Sequence, residues 1–232
     1  MAAGKDETST METYEVMRTT FAARDFTDQG VPDEVLYRIL DHARFAPSGG
    51  NRQGWKVIVI KDADTRASLQ DLMMPTIKAY KAMAAAGETP FNSIQPSQVS
   101  ADAIANMPET MPFSGELDQA PVVLVITVDL RLVTAFDKDL PRVGVIAGAS
   151  IYPFAWNILL AARNEGYGGV LTTFLTHQET AAKSLLGVPT EHAIAGVIGI
   201  GRPVKQLTKL TRKSVPEFTT LDHFHGAPLE QP

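Results

Sequence analysis

The chain has 232 residues, 44% hydrophobic and 20% charged, and carries a formal net charge of −5 at pH 7; that is enough chain for one buried core, with an ordinary globular composition. No Lys/Arg block offsets the acidic balance, which argues against general nucleic-acid binding. The absence of cysteine removes disulfides, thiolate catalysis and Cys-based zinc sites together, and it suits a reducing compartment, with the cytoplasm as the default location.

The first ten residues lack an apolar signal region and read as a loose leader, with Met11 a candidate functional start. Residues Glu12 to Ala23 have helical composition, and the polar turn Phe26 to Gly30 follows. Val31-Pro32-Asp33-Glu34 opens a second helix, with acids in the first turn as the helix dipole favours; Val35, Ile39, Leu40 and Ala43 form its apolar face. Pro47-Ser48-Gly49-Gly50-Asn51 ends it, and Trp55 to Ile60 is a β-branched run of strand length. Thr65 to Ala86 is helical. Residues 87–119 hold several prolines among Ser, Asn and Asp and read as an insertion, partly helical near Ser97 to Asn106; loops of this length often cover sites as lids.

Pro121 to Val128 is a nearly continuous apolar strand, expected to be covered on both faces. Val143 to Ala162 is the longest apolar stretch, but it contains Pro153, Trp156 and Asn157 and shows helical periodicity. It therefore predicts a core helix, over Gly144 to Glu165, and no membrane span. A strand near Val170 to Thr173, a helix from Gln178 to Leu186 and a strand from Ala193 to Ile200 complete the core. Residues 203–232 have no core pattern of their own, so they read as an arm that is disordered or wraps a partner. The expected organisation is one domain over 11–232 with these two appendages.

Ala46 to Trp55 is the sharpest local feature. Gly49 and Gly50 permit close backbone approach to a flat ligand, and Ser48, Asn51 and Gln53 offer neutral donors and acceptors for a heterocycle edge. Read locally, the same run also serves as a glycine-rich connector. Arg18 and Arg24, six residues apart, and Arg202, Lys205, Lys209, Arg212 and Lys213 in the tail are candidates to clamp a phosphate, or else a solvated face. Position 171 is Leu, so the glycines at 166–169 do not complete a dinucleotide fingerprint, and no P-loop is present. His223-Phe224-His225 has strand-like spacing that places two rings on one face, with only Asp222 as a nearby acid. No paired carboxylates or nucleophile elbow suggest hydrolysis, which points to a cofactor that brings its own chemistry.

Taken in order, these segments resemble the nitroreductase family of FMN enzymes. The resemblance runs from Met17-Arg18-Thr19-Thr20 through Asp25-Phe26-Thr27, Val31 to Leu36 and the Pro47-Ser48-Gly49-Gly50-Asn51-Arg52-Gln53-Gly54-Trp55 run. It resumes at Ala161 to Gly169, at Ile198 to Pro203 and at Arg212-Lys213-Ser214-Val215. It implies an α+β fold with a central, mainly antiparallel sheet flanked by helices, and an interlocked homodimer with an extended C-terminal arm and FMN at the interface. It implies ping-pong hydride transfer from NADH or NADPH to a small oxidised acceptor such as a nitroaromatic, quinone or activated alkene. Dehalogenase-like flavin chemistry and a non-catalytic flavin-binding protein are the alternatives on the same fold.

The cofactor-binding positions implied are Arg18, Arg24, Pro47, Ser48, Gly49, Asn51, Gln53, Gly169, Val170, Leu171, Thr172, Arg212 and Lys213, with no catalytic side chain and no metal. A backbone N–H within Gly169 to Thr173 is implied near the flavin N5 and O4. The family's Arg-Ser-x-Arg or Arg-Ala-x-Arg phosphate grip falls on Phe21-Ala22-Ala23-Arg24, so Phe21 stands where an arginine is usual.

Overall fold

The most apolar strand-length run becomes the middle of the structure. Val122–Asp129 forms β2, every residue of which is buried. It lies between β1 (Trp55–Ile60) and β4 (His192–Gly201), and β3 (Gly168–Thr172) pairs with the far side of β4. The order is β1-β2-β4-β3, and every neighbouring pair is antiparallel, as expected. This computed structural model describes residues 11–110 and 119–231.

Alternation along β2 builds two apolar layers. Val122, Leu124, Ile126 and Val128 face α2 (Asp33–Ala43) and α5 (Tyr152–Asn164), while Val123 and Val125 face α3 (Ala63–Ala85) and α6 (Glu179–Leu186). Trp55 stacks on Phe154 with ring centroids 4.7 Å apart, tying β1 to α5. A register shift between Ile126 and Thr127 leaves Ala195 as the extra residue of β4, and the freed Ala195 carbonyl accepts from Tyr152 Oη at 3.3 Å.

Two expected helices change their limits, and one stretch of strand-like spacing is a turn. The first helix, α1, spans only Thr13–Thr19, where Glu12 to Ala23 was expected. The Thr19 and Thr20 hydroxyls bond back to the Glu15 and Val16 carbonyls, which loosens the last turn. The chain then runs extended, with Ala22 bridging Gly169 and the Ala23 N–H donating to the Gly169 carbonyl at 3.0 Å. The predicted helix from Gly144 begins instead at Tyr152, after a separate tight 3-10 turn at Ile146–Ser150. Pro153 in the first turn explains this, because proline is tolerated at a helix start and not inside one. His223 to His225 lie in a turn, not a strand, so their expected common face is not formed.

In the insertion the described residues include a short helix, α4 (Ala101–Ala105), capped by Ser100. They pack on α3 through Lys81 Nζ to the Pro108 and Thr110 carbonyls and through the Lys78–Glu109 ion pair. The remainder of the expected lid, residues 111–118, and the leader at 1–10 lie outside the described residues. No helix among the described residues is long and apolar enough to cross a membrane.

Candidate functional site

A cleft of about 470 Å³ opens beside β3. Tyr152, Trp156 and Leu159, spaced four and three residues along α5, share one face of that helix and form one wall. Tyr152 and Trp156 remain 43% and 46% exposed, unusual for two large rings on a helix whose other apolar residues are buried or half-buried. Gly169, Val170 and Leu171 of β3 form the opposite side, and Thr20, Phe21, Ala22 and Arg24 close it with Arg212 from the C-terminal arm. The cleft is thus an apolar slot bordered by two guanidinium groups from opposite ends of the chain.

Close packing shapes this slot. A Cβ on Gly168 would come within 2.7 Å of the Pro203 ring and 3.0 Å of Ala23, and one on Gly169 within 2.5 Å of the Gly199 carbonyl oxygen. Only glycine lets the Ala22–Arg24 segment lie against β3. Gly166, in contrast, is a turn glycine at φ 80° that ends α5. Arg24 donates to the Ala22 carbonyl at 3.2 Å, and partial burial holds its pKa below the ordinary arginine value, opposed by the nearby Tyr80 and Asp25. Arg212 is exposed and donates to the Thr211 carbonyl at 2.7 Å.

The structure therefore gathers Arg24, Gly169, Val170, Leu171 and Arg212 around one cleft. Arg18, exposed on the last turn of α1, and Lys213 do not line it, and Thr172 lies just beyond, with its hydroxyl accepting from the Phe174 N–H. Pro47, Ser48, Gly49, Asn51 and Gln53 sit before β1, at the opposite edge of the sheet from β3. Three inter-strand spacings, about 14 Å, separate those edges.

The turn at 47–54 is itself tightly built. Gly50, Asn51 and Gln53 all adopt left-handed backbone, at φ 60°, 53° and 50°. Glycine tolerates this; Asn and Gln hold it against a conformational cost of order 1 kcal/mol or more each. The Gln53 N–H donates to Ser48 Oγ at 2.9 Å and the Gly49 N–H to Ser150 Oγ at 3.1 Å. Arg52 donates to the Gly49 carbonyl and to Thr134 Oγ1 at 3.2 Å. The Asp129 N–H donates to the Gly54 carbonyl. The Asp129 carboxylate is gripped by the Arg131 side chain at 2.7–3.2 Å, which lowers its pKa to about 2. Ser150 links the turn to the cleft, since Tyr152 follows two residues later.

Sequence reasoning overlooked Tyr152, Trp156 and Leu159 as site residues. Their i, i+4, i+7 spacing was present, but a helix that apolar reads as core on every face. No group of three potential metal ligands converges among the described residues.

The architecture has parallels in known proteins. The chain is 26% identical over 235 residues to a nitrobenzene nitroreductase from Ectopseudomonas oleovorans, covering 90% of this chain and 96% of that protein. It is 26% identical over 208 residues to human (Homo sapiens) iodotyrosine deiodinase 1, covering 88% and 66%. The crystal structure of oxidised iodotyrosine deiodinase bound to FMN and 3-iodo-L-tyrosine superposes with a TM-score of 0.65 at 18% identity, covering 92% of this chain and all of that one. Because the sequence model of the family matches residues 17–202, most of the molecule just described, this chain belongs to the Nitroreductase family.

Proposed function

We propose that the chain is an FMN-dependent oxidoreductase that passes hydride from NADH or NADPH to a small oxidised organic acceptor, a nitroaromatic, quinone or activated alkene, in a ping-pong cycle. The observation that carries this reading is the slot beside β3: apolar walls from Tyr152, Trp156, Leu159, Val170 and Leu171, with Arg24 and Arg212 at its border. A planar aromatic ring on an anionic tail matches that donor set, and guanidinium groups suit phosphate oxygens in particular. FMN, when bound, supplies the two-electron chemistry that the side chains lack.

The chain's own part is binding, orientation and exclusion of water. Arg24 and Arg212 hold the phosphate. Trp156 and Leu159 shield the ring. The outer edge of β3 past Gly169 meets no further strand among the described residues, so a backbone N–H of Val170 to Thr172 is the proposed neutral donor to the ring's electron-accepting edge, an electrostatic role that needs no titrating group. Positioning of donor and acceptor over the ring accounts for the remaining rate advantage.

The working unit is proposed to be a homodimer in the cytoplasm. Residues beyond Arg202 are almost all exposed in one chain, with Phe218 at 64% and Phe224 at 87%, and such rings call for a covering surface. A second copy would also bring a Pro47–Gln53 turn to each β3 cleft, joining site segments that one chain holds at opposite sheet edges. The purified protein is expected to show flavin absorption bands and acceptor-dependent oxidation of NADH or NADPH. A colourless protein that takes up no added FMN would refute the reading. Flavin colour without turnover would instead indicate a flavin-binding protein.

The resemblance to iodotyrosine deiodinase favours one second reading, reductive dehalogenation in the same slot. Halide release from a halogenated phenol by the chemically reduced protein, without nitroaromatic turnover, would select it.

A further inference from the structure

The segment Phe21–Arg24 is a wall shared by two hollows. The second, of about 290 Å³, has Phe21, Ala22 and Arg24 in common with the β3 slot, and its lining also includes Asp25, Val204 and Lys205. The chain bearing Lys205 is fastened to this wall on both sides of the lysine. The Val204 N–H donates to the Asp25 carbonyl at 3.0 Å, and Gln206 Nε2 donates to the Thr19 carbonyl at 2.9 Å. One residue earlier, Pro203 bridges Phe26. Lys205 is therefore fixed in register with the stretch that carries Phe21 and Arg24, although it is separated from it by about 180 residues of sequence. Its ammonium has no hydrogen-bond or ion-pair partner among the described residues. With Arg24 and Asp25 it leaves the hollow one positive charge in excess.

The side chains of Phe21 and Ala22 carry no hydrogen-bond donor. A dianionic phosphate in the β3 slot is then met from this wall by Arg24 alone, with Arg212 from the arm. Lysine is a compact charge on a flexible four-carbon stem, and the hollow that Lys205 lines shares Phe21, Ala22 and Arg24 with the slot. Resting on the flavin reading above, we propose that Lys205 is a further cationic ligand of the FMN phosphate, reaching it from the adjoining hollow and supplying the positive charge that Phe21 does not.

Riboflavin, which has the ring and ribityl chain of FMN but no phosphate, separates this role from a general effect on folding. Dissociation constants for FMN and for riboflavin are to be measured by flavin fluorescence quenching on wild type, Lys205→Ala, Lys205→Arg and Lys209→Ala. The expected result for Lys205→Ala is about tenfold weaker FMN binding, the low end for a hydrogen bond to a charged group, with riboflavin unchanged. Lys205→Arg should retain FMN close to wild type, and Lys209→Ala should match wild type for both flavins. Equal losses for FMN and riboflavin, or no loss of FMN, would overturn the assignment while leaving the flavin reading intact. A wild-type protein that binds neither flavin would sink both.

Discussion

At Arg24 the backbone has already left α1, and a hydrogen bond from Ala23 to Gly169 fixes it beside β3. Arg18 remains on the helix, exposed and outside the slot. The two arginines are chemically identical and six residues apart, so replacing each by alanine compares position alone. Arg24→Ala is expected to weaken FMN retention about ten- to a hundredfold, corresponding to roughly 1.5–3 kcal/mol for a hydrogen bond to a charged group, while Arg18→Ala has a smaller effect. Flavin content after gel filtration measures both; equal occupancy in wild type and Arg24→Ala would show that the phosphate lies elsewhere. At this scale the sequence was informative about residue type and silent about direction. The pattern Phe21-Ala22-Ala23-Arg24 was legible, but not that it leaves the helix, because the deciding contact is a carbonyl on a strand nearly 150 residues away. The left-handed backbone at Asn51 and Gln53 was equally illegible, since neither residue requires it and contacts to Ser48, Thr134, Ser150 and Asp129 hold the turn there.

Among elements, strands were easier to read than helix ends. The β1 run Trp55–Ile60 has its expected limits and β2 is displaced by one residue, because apolar β-branched runs of strand length leave little ambiguity, whether buried throughout as in β2 or largely half-buried as in β1. Helix limits depended on proline at the start of α5 and on threonine back-bonding at the end of α1, which composition alone weighs poorly. The glycines at 166–169 were set aside as an incomplete dinucleotide fingerprint, and two of them, Gly168 and Gly169, are strand residues that contact distance requires to be glycine. A methyl group at Gly169 has a backbone oxygen in its way, which cannot swing aside as a side chain can. Gly169→Ala should therefore push β3 from β4 and cost about 1–3 kcal/mol, the usual penalty for overpacking. Gly30→Ala, where nothing lies within 4 Å, should leave stability within a few tenths of a kcal/mol or raise it slightly. Chemical denaturation of the two variants tests the contrast, and equal midpoints would show that the β3–β4 contact yields more easily than its geometry indicates.

For the molecule as a whole, the arm was recognisable as a segment without a core of its own, and the structure gives it none within one chain. Its exposed Phe218 and Phe224 are worth roughly 1.5–3 kcal/mol each if a partner buries them. The double variant Phe218→Glu/Phe224→Glu keeps Arg212 in place and should shift the protein from dimer to monomer in sedimentation velocity at micromolar concentration. A monomeric wild type would refute the assembly itself. The α5 face of the cleft was the part of the site least visible beforehand, because the exposure of Tyr152 and Trp156 depends on which neighbours are absent around a helix, and an amino-acid string does not record that.

The sheet stops at β1, whose outer side meets no other strand among the described residues. Trp55 to Ile60 carries a single charge, Lys56, along that border, so its free N–H and C=O groups form an adhesive margin for any extended chain. If the proposed dimer lays an extended segment of the second chain along this border, separating the protomers would bare it and clumping by strand addition would follow.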